Sequence, residues 1–304
     1  MTTTPTPGAL TRAEIESQPG LWQEVLRHAG GPALAAPGER VLFIGCGTSA
    51  FVAHSLAVLR ESAGLGTSDW AYGSELPPGP RDYDRVVAIT RSGTTTEVLE
   101  AMEALRGSTR LVAVTAVEGM PVEGLADDVV ALTAADERSV VQTRFPTSVL
   151  LLGRAAFGES VGHLPAACGA ALAADRPDPA SFEHFVYLGR GWCQGLADEA
   201  ALKIREAAQA WAESYPALDF RHGPIAVAGP RSHVWLLGPT PAGLADDVRA
   251  VGATVREPVH DPLVELVLAQ RLAVDLAAAR GLDPDAPRHL TRSVILDAPD
   301  AVRG

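Results

Sequence analysis

The feature that most constrains this chain is a strand–turn–helix unit that occurs twice. Residues 41–63 read VLFIGCGTSAFVAHSLAVLRESA, and residues 185–207 read FVYLGRGWCQGLADEAALKIREA. Each has a short continuous apolar run, a Gly-x-Gly turn and an amphipathic stretch. A run of that kind, with no polar alternation, marks a strand covered on both faces. A strand followed by a helix that packs back on it builds a parallel sheet. The first copy continues into a second unit, DRVVAITRSGTTTEVLEAMEALRG, with a strand at 86–89, a polar turn at 90–94 and a helix from about Thr95. RLVAVTAVEG and DDVVALTAADE supply third and fourth strands. SVVQTRFPTSVLLLGRAAFGESVG reads as a long helix interrupted near Pro146. HVWLLGPTPAGLADDVRAVG repeats the second unit in the later half, and LVELVLAQRLAVDLAAARGLDPD closes the chain as a helix.

The repeat length, roughly 145 residues, is too long for a solenoid. It predicts two similar α/β domains, each a doubly wound parallel sheet. The expected organisation is an N-terminal tail and helix over 1–37 and a first domain over 38–165. An Ala/Pro/Asp-rich helix end and linker over 166–181 and a second domain over 182–304 complete it. The first eight residues are Thr/Pro-rich and read as frayed. Thr11 with Glu14 has capping-box spacing for the first helix, whose apolar face carries Trp22, Val25 and Leu26.

The 304 residues carry a net charge of −12 and no basic block, which argues against nucleic-acid binding. Three cysteines without a CxxC pair argue against both a disulfide framework and a metal site. The start lacks the basic and apolar regions of a signal peptide, and no apolar stretch reaches membrane length. The expectation is a cytoplasmic protein without a membrane span.

Three segments carry chemistry. The turn GCGTS, Cys46-Gly47-Thr48-Ser49 after Gly45, presents backbone N–H groups and two hydroxyls at a helix start, which suits an anion. A plain βα turn would look the same. The turn TRSGTTT packs five hydroxyls, Thr90, Ser92, Thr94, Thr95 and Thr96, into seven residues, more than N-capping requires. That excess points to a phosphate monoester, with Arg91 as an added charge. In doubly wound sheets ligands lie beyond the carboxyl ends of the strands, where both turns fall. The third segment is LKIREAAQAWAESYPALDFRHGPIAV. Glu199, Lys203, Glu206 and Glu213 fall on one face if the helix continues, and Ala197, Ala201, Ile204, Ala208 and Trp211 form its apolar stripe. In isolation that charged face reads as solvated, with a Glu199–Lys203 pair. Its place between a Gly-x-Gly turn and His222-Gly223-Pro224 favours a carboxylate base and an imidazole serving a sugar carbonyl.

With these residues in view, the chain resembles the SIS (sugar isomerase) family. It is similar in kind to tandem members such as the isomerase half of glucosamine-6-phosphate synthase, and to free-standing phosphosugar isomerases and amino-sugar-phosphate deaminases. The resemblance runs from about residue 38 and rests on GCGTS, TRSGTTTEV, GRGWCQGLADEAALKIREAAQAWAESY, RHGPIAV and DPDAPRHLTRSV. It implies two flavodoxin-like SIS domains. It places the sugar phosphate on Cys46, Gly47, Thr48 and Ser49 and on Thr90, Arg91, Ser92 and Thr95, where Thr90 and Arg91 depart from the family's usual Ser and Gln. It places the base for C1/C2 proton transfer at Glu206, supported by Glu199 and Lys203. Ring opening falls to His222, which the neighbouring subunit contributes, so a homodimer with a shared active site is implied. Where the synthase carries an imine-forming lysine, this chain has Arg292, whose guanidinium cannot form a Schiff base. The synthase's glutaminase half has no counterpart before residue 38, so synthesis from glutamine is not expected. No cofactor and no metal are implied. The expected activity is that of a hexose or hexosamine 6-phosphate isomerase or deaminase. The alternative is a non-catalytic sugar-phosphate regulator, which would not need the acid–base set.

Overall fold

The computed structural model describes residues 6–27, 34–78, 81–174 and 178–296. Most of the Thr/Pro-rich start and part of the expected linker lie outside the described residues.

Two parallel sheets organise the chain. The first has β1 (Val41–Gly45), β2 (Ser68–Tyr72), β3 (Arg85–Ile89), β4 (Arg110–Thr115) and β5 (Asp128–Ala131) in the order β2-β1-β3-β4-β5. The second has β6 (His184–Gly189), β7 (Trp211–Pro216), β8 (Ser232–Leu237) and β9 (Thr254–Arg256) in the order β7-β6-β8-β9. The second order is the first without its fifth strand. Both are the flavodoxin-like doubly wound arrangement that the repeated units imply.

Eight α-helices are described: α1 (Ala9–Arg27), α2 (Thr48–Ser62), α3 (Thr96–Leu105), α4 (Arg144–Ala156), α5 (Leu164–Ala173), α6 (Cys193–Ala208), α7 (Leu244–Ala250) and α8 (Pro262–Ala279). Strand alternation divides the apolar residues between three cores. Val41 and Phe43 of β1, with Phe185 and Tyr187 of β6, face one central core that also holds apolar residues of α1, α2, α4, α5, α6 and α8. Leu42 and Ile44 face an outer core under α3, and Val186 and Leu188 face another under α7. The central helices are therefore sandwiched between the sheets. Among the described residues, no helix is long and apolar enough to cross a membrane.

One close approach sets the geometry of the site. A Cβ at Gly195 of α6 would lie 2.3 Å from both the Phe51 carbonyl oxygen and the Ser55 hydroxyl of α2. Ser55 Oγ donates to the Trp192 carbonyl at 2.9 Å. Only glycine lets the two helices meet here. Their antiparallel contact carries the start of α2 to the last turns of α6.

Four local expectations are corrected. The α6 helix stops at Ala208, with Gln209 left-handed at φ 48°. Trp211 and Glu213 therefore sit on β7 and not on a continuing helix. Trp211 is 68% exposed, outside any apolar stripe. Glu213 accepts from Trp211 Nε1 and Tyr215 Oη and contacts His184, remote in role from Glu206. Thr11 lies inside α1 and forms no capping box: its N–H and hydroxyl donate to Asp285, while Glu14 accepts from Arg138 and Ser139. The helix over the SVVQTRFPTS stretch begins at Arg144, so Pro146 falls in its first turn, where its missing N–H costs nothing, and causes no interruption. The edge strand β2 was not foreseen. Within 166–181 the chain forms most of α5 and a 3₁₀ turn at Pro179–Ser181.

Candidate active site

The two hydroxyl-rich turns follow β1 and β3, which are hydrogen-bonded neighbours. The chain leaves β1 toward β2 on one side and returns as β3 on the other, so the turns meet at the switch point of the sheet. Gly47 precedes α2 at φ 53°, a left-handed conformation that an L side chain resists. A recess between the turns is lined by Cys46, Ser49, Thr90, Arg91, Ser92 and Thr95, with Ile89 and Val98 as its apolar wall. Burial, then the neighbouring Glu97, pushes the Cys46 thiol up, which disfavours the thiolate.

Thr48 turns the other way. Lys203 Nζ donates to Thr48 Oγ1 at 3.1 Å and to Glu206 Oε2 at 2.6 Å, and lies 3.3 Å from Glu199 Oε1. Lys203 and Glu199 have side chains only 1% exposed, whereas Glu206 is 20% exposed. The expected solvated face is thus a buried ionic triad with one partly accessible carboxylate. Burial drives the Glu199 carboxyl up to about 7; Lys203 opposes the shift and Glu206 adds to it. Glu199 lies at ion-pair distance, yet neither of its oxygens accepts a directed hydrogen bond. Burial alone would lower the Lys203 ammonium, but Glu199 and Glu206 overcome it and hold it above its usual range. Lys203 is a fixed cation and not an amine nucleophile.

The chain is similar to known proteins in sequence and fold. No family model matches the chain. A glutamine–fructose-6-phosphate aminotransferase (isomerizing) of Aeropyrum pernix is 32% identical over an alignment 348 positions long, gaps included, which covers 94% of this chain and 56% of that protein. The chain spans about half the length of the curated relatives it matches. The solved glucosamine-6-phosphate deaminase of Thermotoga maritima superposes with a TM-score of 0.82 at 26% identity, covering 95% of this chain and all of that one. The chain belongs to the sugar isomerase (SIS) family. The tagatose-6-phosphate ketose/aldose isomerase of Escherichia coli shares the fold, with a TM-score of 0.76 at 22% identity over 97% of this chain and 99% of that one.

Other residues of this SIS chain depart from the simple picture of the site. The Arg91 guanidinium does not point its charge at the recess. Nη1 donates to the Ser139 carbonyl at 3.1 Å and Nη2 to the Arg292 carbonyl at 2.6 Å, and the group lies 3.7 Å from the fully buried Glu137. Arg292 lines the recess edge, but its guanidinium bonds the Glu137 carbonyl and the Asp136 carboxylate. Both arginines anchor the C-terminal segment. That segment brings in a residue that sequence reasoning passed over. Ser293 Oγ lies 3.1 Å from Ser92 Oγ, 3.0 Å from Thr94 Oγ1 and 3.5 Å from Thr95 Oγ1. The first N–H of α3, at Thr96, donates to the Val294 carbonyl at 3.2 Å. Gln142 was likewise unforeseen on the recess wall. The only sequence signal for Ser293 was its place in the DPDAPRHLTRSV run, and Gln142 carried none.

His222 ends a 3₁₀ turn beyond β7. It is exposed and makes no hydrogen bond or ion pair with a described residue, Glu206 included. Among the described residues, no group of three His, Cys, Asp or Glu is placed to hold a metal ion.

Proposed function

We propose that this SIS protein is an enzyme acting on a hexose or hexosamine 6-phosphate by proton transfer between C1 and C2. One observation carries the reading: Lys203 Nζ bonds at once to Thr48, on a phosphate-type turn, and to Glu206, the accessible carboxylate. The acid–base group is thereby held at a fixed distance from the anion cup. The relatives named for chemistry on fructose 6-phosphate and glucosamine 6-phosphate support the same substrate class.

In this mechanism the phosphate rests on Ser49, Thr90, Ser92 and Thr95. His222 of a second copy moves the proton that opens the sugar ring. Glu206 removes the proton from one of C1 and C2 and returns it to the other. The Lys203 ammonium, buried and charged, stabilises the oxygen on which negative charge develops. With a 2-amino sugar, proton transfer from C2 to C1 leaves a ketimine. Water adds to its C2, the C–N bond breaks, and ammonia and the ketose are released. That route needs no enzyme imine, in keeping with Arg292 as a guanidinium and Lys203 as a paired ammonium. The test is a panel of hexose and hexosamine 6-phosphates, with ammonia and ketose assayed separately. Turnover of at least one, abolished by Glu206→Gln with binding retained, is expected. Binding without any product would replace this reading with a sugar-phosphate sensor.

A further inference from the structure

Among the side chains on the recess wall, Gln142 holds a buried amide oxygen that accepts no hydrogen bond. The backbone on either side of it is held by carboxylates. Glu137 Oε1 accepts from the Thr143 N–H, the Thr143 hydroxyl at 2.9 Å and the Arg144 N–H at 2.7 Å. Glu14 Oε1 accepts from the Arg138 N–H at 2.6 Å and the Ser139 N–H at 3.4 Å. Two buried carboxylates thus clamp the backbone on either side of Gln142. A buried acceptor without a donor costs free energy, and a clamped backbone keeps it from turning to solvent for relief. On the rest of the wall Thr90 contacts Thr95 and Ser92 contacts Ser293, and among the described residues no donor completes the amide.

We propose that Gln142 is a specificity-determining residue: its amide oxygen accepts a hydrogen bond from a hydroxyl or ammonium on the carbon skeleton of the bound sugar phosphate. This rests on the sugar-phosphate reading above. The hydroxyl turns are indifferent to what the phosphate is attached to. The Gln142 amide oxygen can only accept, so at that atom a phosphate oxygen is disfavoured and a hydroxyl or ammonium donor is preferred.

The test is calorimetric binding of inorganic phosphate, fructose 6-phosphate and glucosamine 6-phosphate to the full chain and to Gln142→Met and Gln142→Glu. Gln142→Met keeps the side-chain length and removes the acceptor. It is expected to weaken at least one sugar phosphate about five- to tenfold, while inorganic phosphate binds within about twofold of the unaltered protein. Retained phosphate binding also reports that the variant is folded. Gln142→Glu identifies the donor: tighter glucosamine 6-phosphate marks an ammonium, and uniform weakening marks a hydroxyl. Equal weakening of inorganic phosphate by Gln142→Met, or no change with any ligand, overturns the assignment. If the unaltered protein binds inorganic phosphate but neither sugar phosphate, the sugar-phosphate reading itself falls, and this inference with it.

Discussion

Lys203 Nζ and Thr48 Oγ1 lie 3.1 Å apart across 155 residues of sequence, and that bond joins the two halves of the site. Thr48 opens α2 beside the hydroxyl-lined recess, and Lys203 sits on α6 with Glu199 and Glu206. The two helices hold this register because Gly195 lets them touch.

Gly195→Ala should therefore damage activity through geometry. Its Cβ would meet Phe51 backbone oxygen at 2.3 Å, which the helix cannot move cheaply. An overpacking cost of about 1–3 kcal/mol is expected. Gly169→Ala in α5 is the control, since its Cβ meets only Pro19 at 3.8 Å. Thermal melting should separate the two. A turnover number that falls for Gly195→Ala and holds for Gly169→Ala would trace the loss to the Thr48–Lys203 register.

Glu199 links stability to pH. Its folded pKa, about 7, lies above the ordinary glutamate value because burial opposes the charge. Between those two values the folded state binds the proton and the unfolded state releases it. Stability from this group is complete below the ordinary value and is lost as pH rises through about 7. The loss should be about 1–3 kcal/mol. Glu199→Gln should flatten that slope in denaturant titrations from mildly acidic to neutral pH. An unaltered slope would mean that the carboxyl is ionised in the folded protein throughout.

Arg91 is expected to act on the C-terminal segment. It holds the Arg292 carbonyl and neutralises Glu137, both away from the cup. Arg91→Gln strips a buried carboxylate of its cation, at a cost of about 3 kcal/mol. Trypsin should then cut faster at Arg288 and Arg292. Cleavage at the original rate, with only phosphate binding weakened, would return Arg91 to the role of direct phosphate ligand.

His222 is exposed in the single chain, and the proposed mechanism takes it from a second copy. Glu206→Gln and His222→Ala should each be inactive alone. Mixed and reassociated, they should regain up to about a quarter of the original activity, since half the dimers are heterodimers with one complete site. Mixtures that stay inactive while heterodimers form would place the ring-opening group elsewhere.

Much of this molecule was legible in the chain because its central strands, such as β1, β3 and β8, are buried on both faces. Continuous apolar runs such as Val86–Ile89 and 41–44 have no other comfortable conformation. The turns after them were legible because glycine and hydroxyls cluster there without serving the core. Other elements depended on partners far away. β7 carries no apolar run or clean alternation; it is a strand because β6 offers its backbone groups from Trp211 to Pro216. The helix before it ends at a left-handed Gln209, with no glycine or proline to announce the stop. Thr11 and Glu14 have capping spacing, yet Asp285 and the 138–139 backbone outcompete each other's side chains for them.

The sequence by itself determined the layer plan, the doubling of the sheet and the two turns, since these follow from local periodicity and turn chemistry. Tertiary structure alone decided the state of the charges. Glu199 and Lys203 share a face with Glu206, but a helical face has no protonation state until something packs against it. In the folded chain Glu199 and Lys203 are buried and Glu206 stays partly accessible. Contacts from the C-terminal segment turn Arg91 and Arg292 from apparent ligands into anchors, because a guanidinium bonds whichever carbonyls and carboxylates the fold brings nearest.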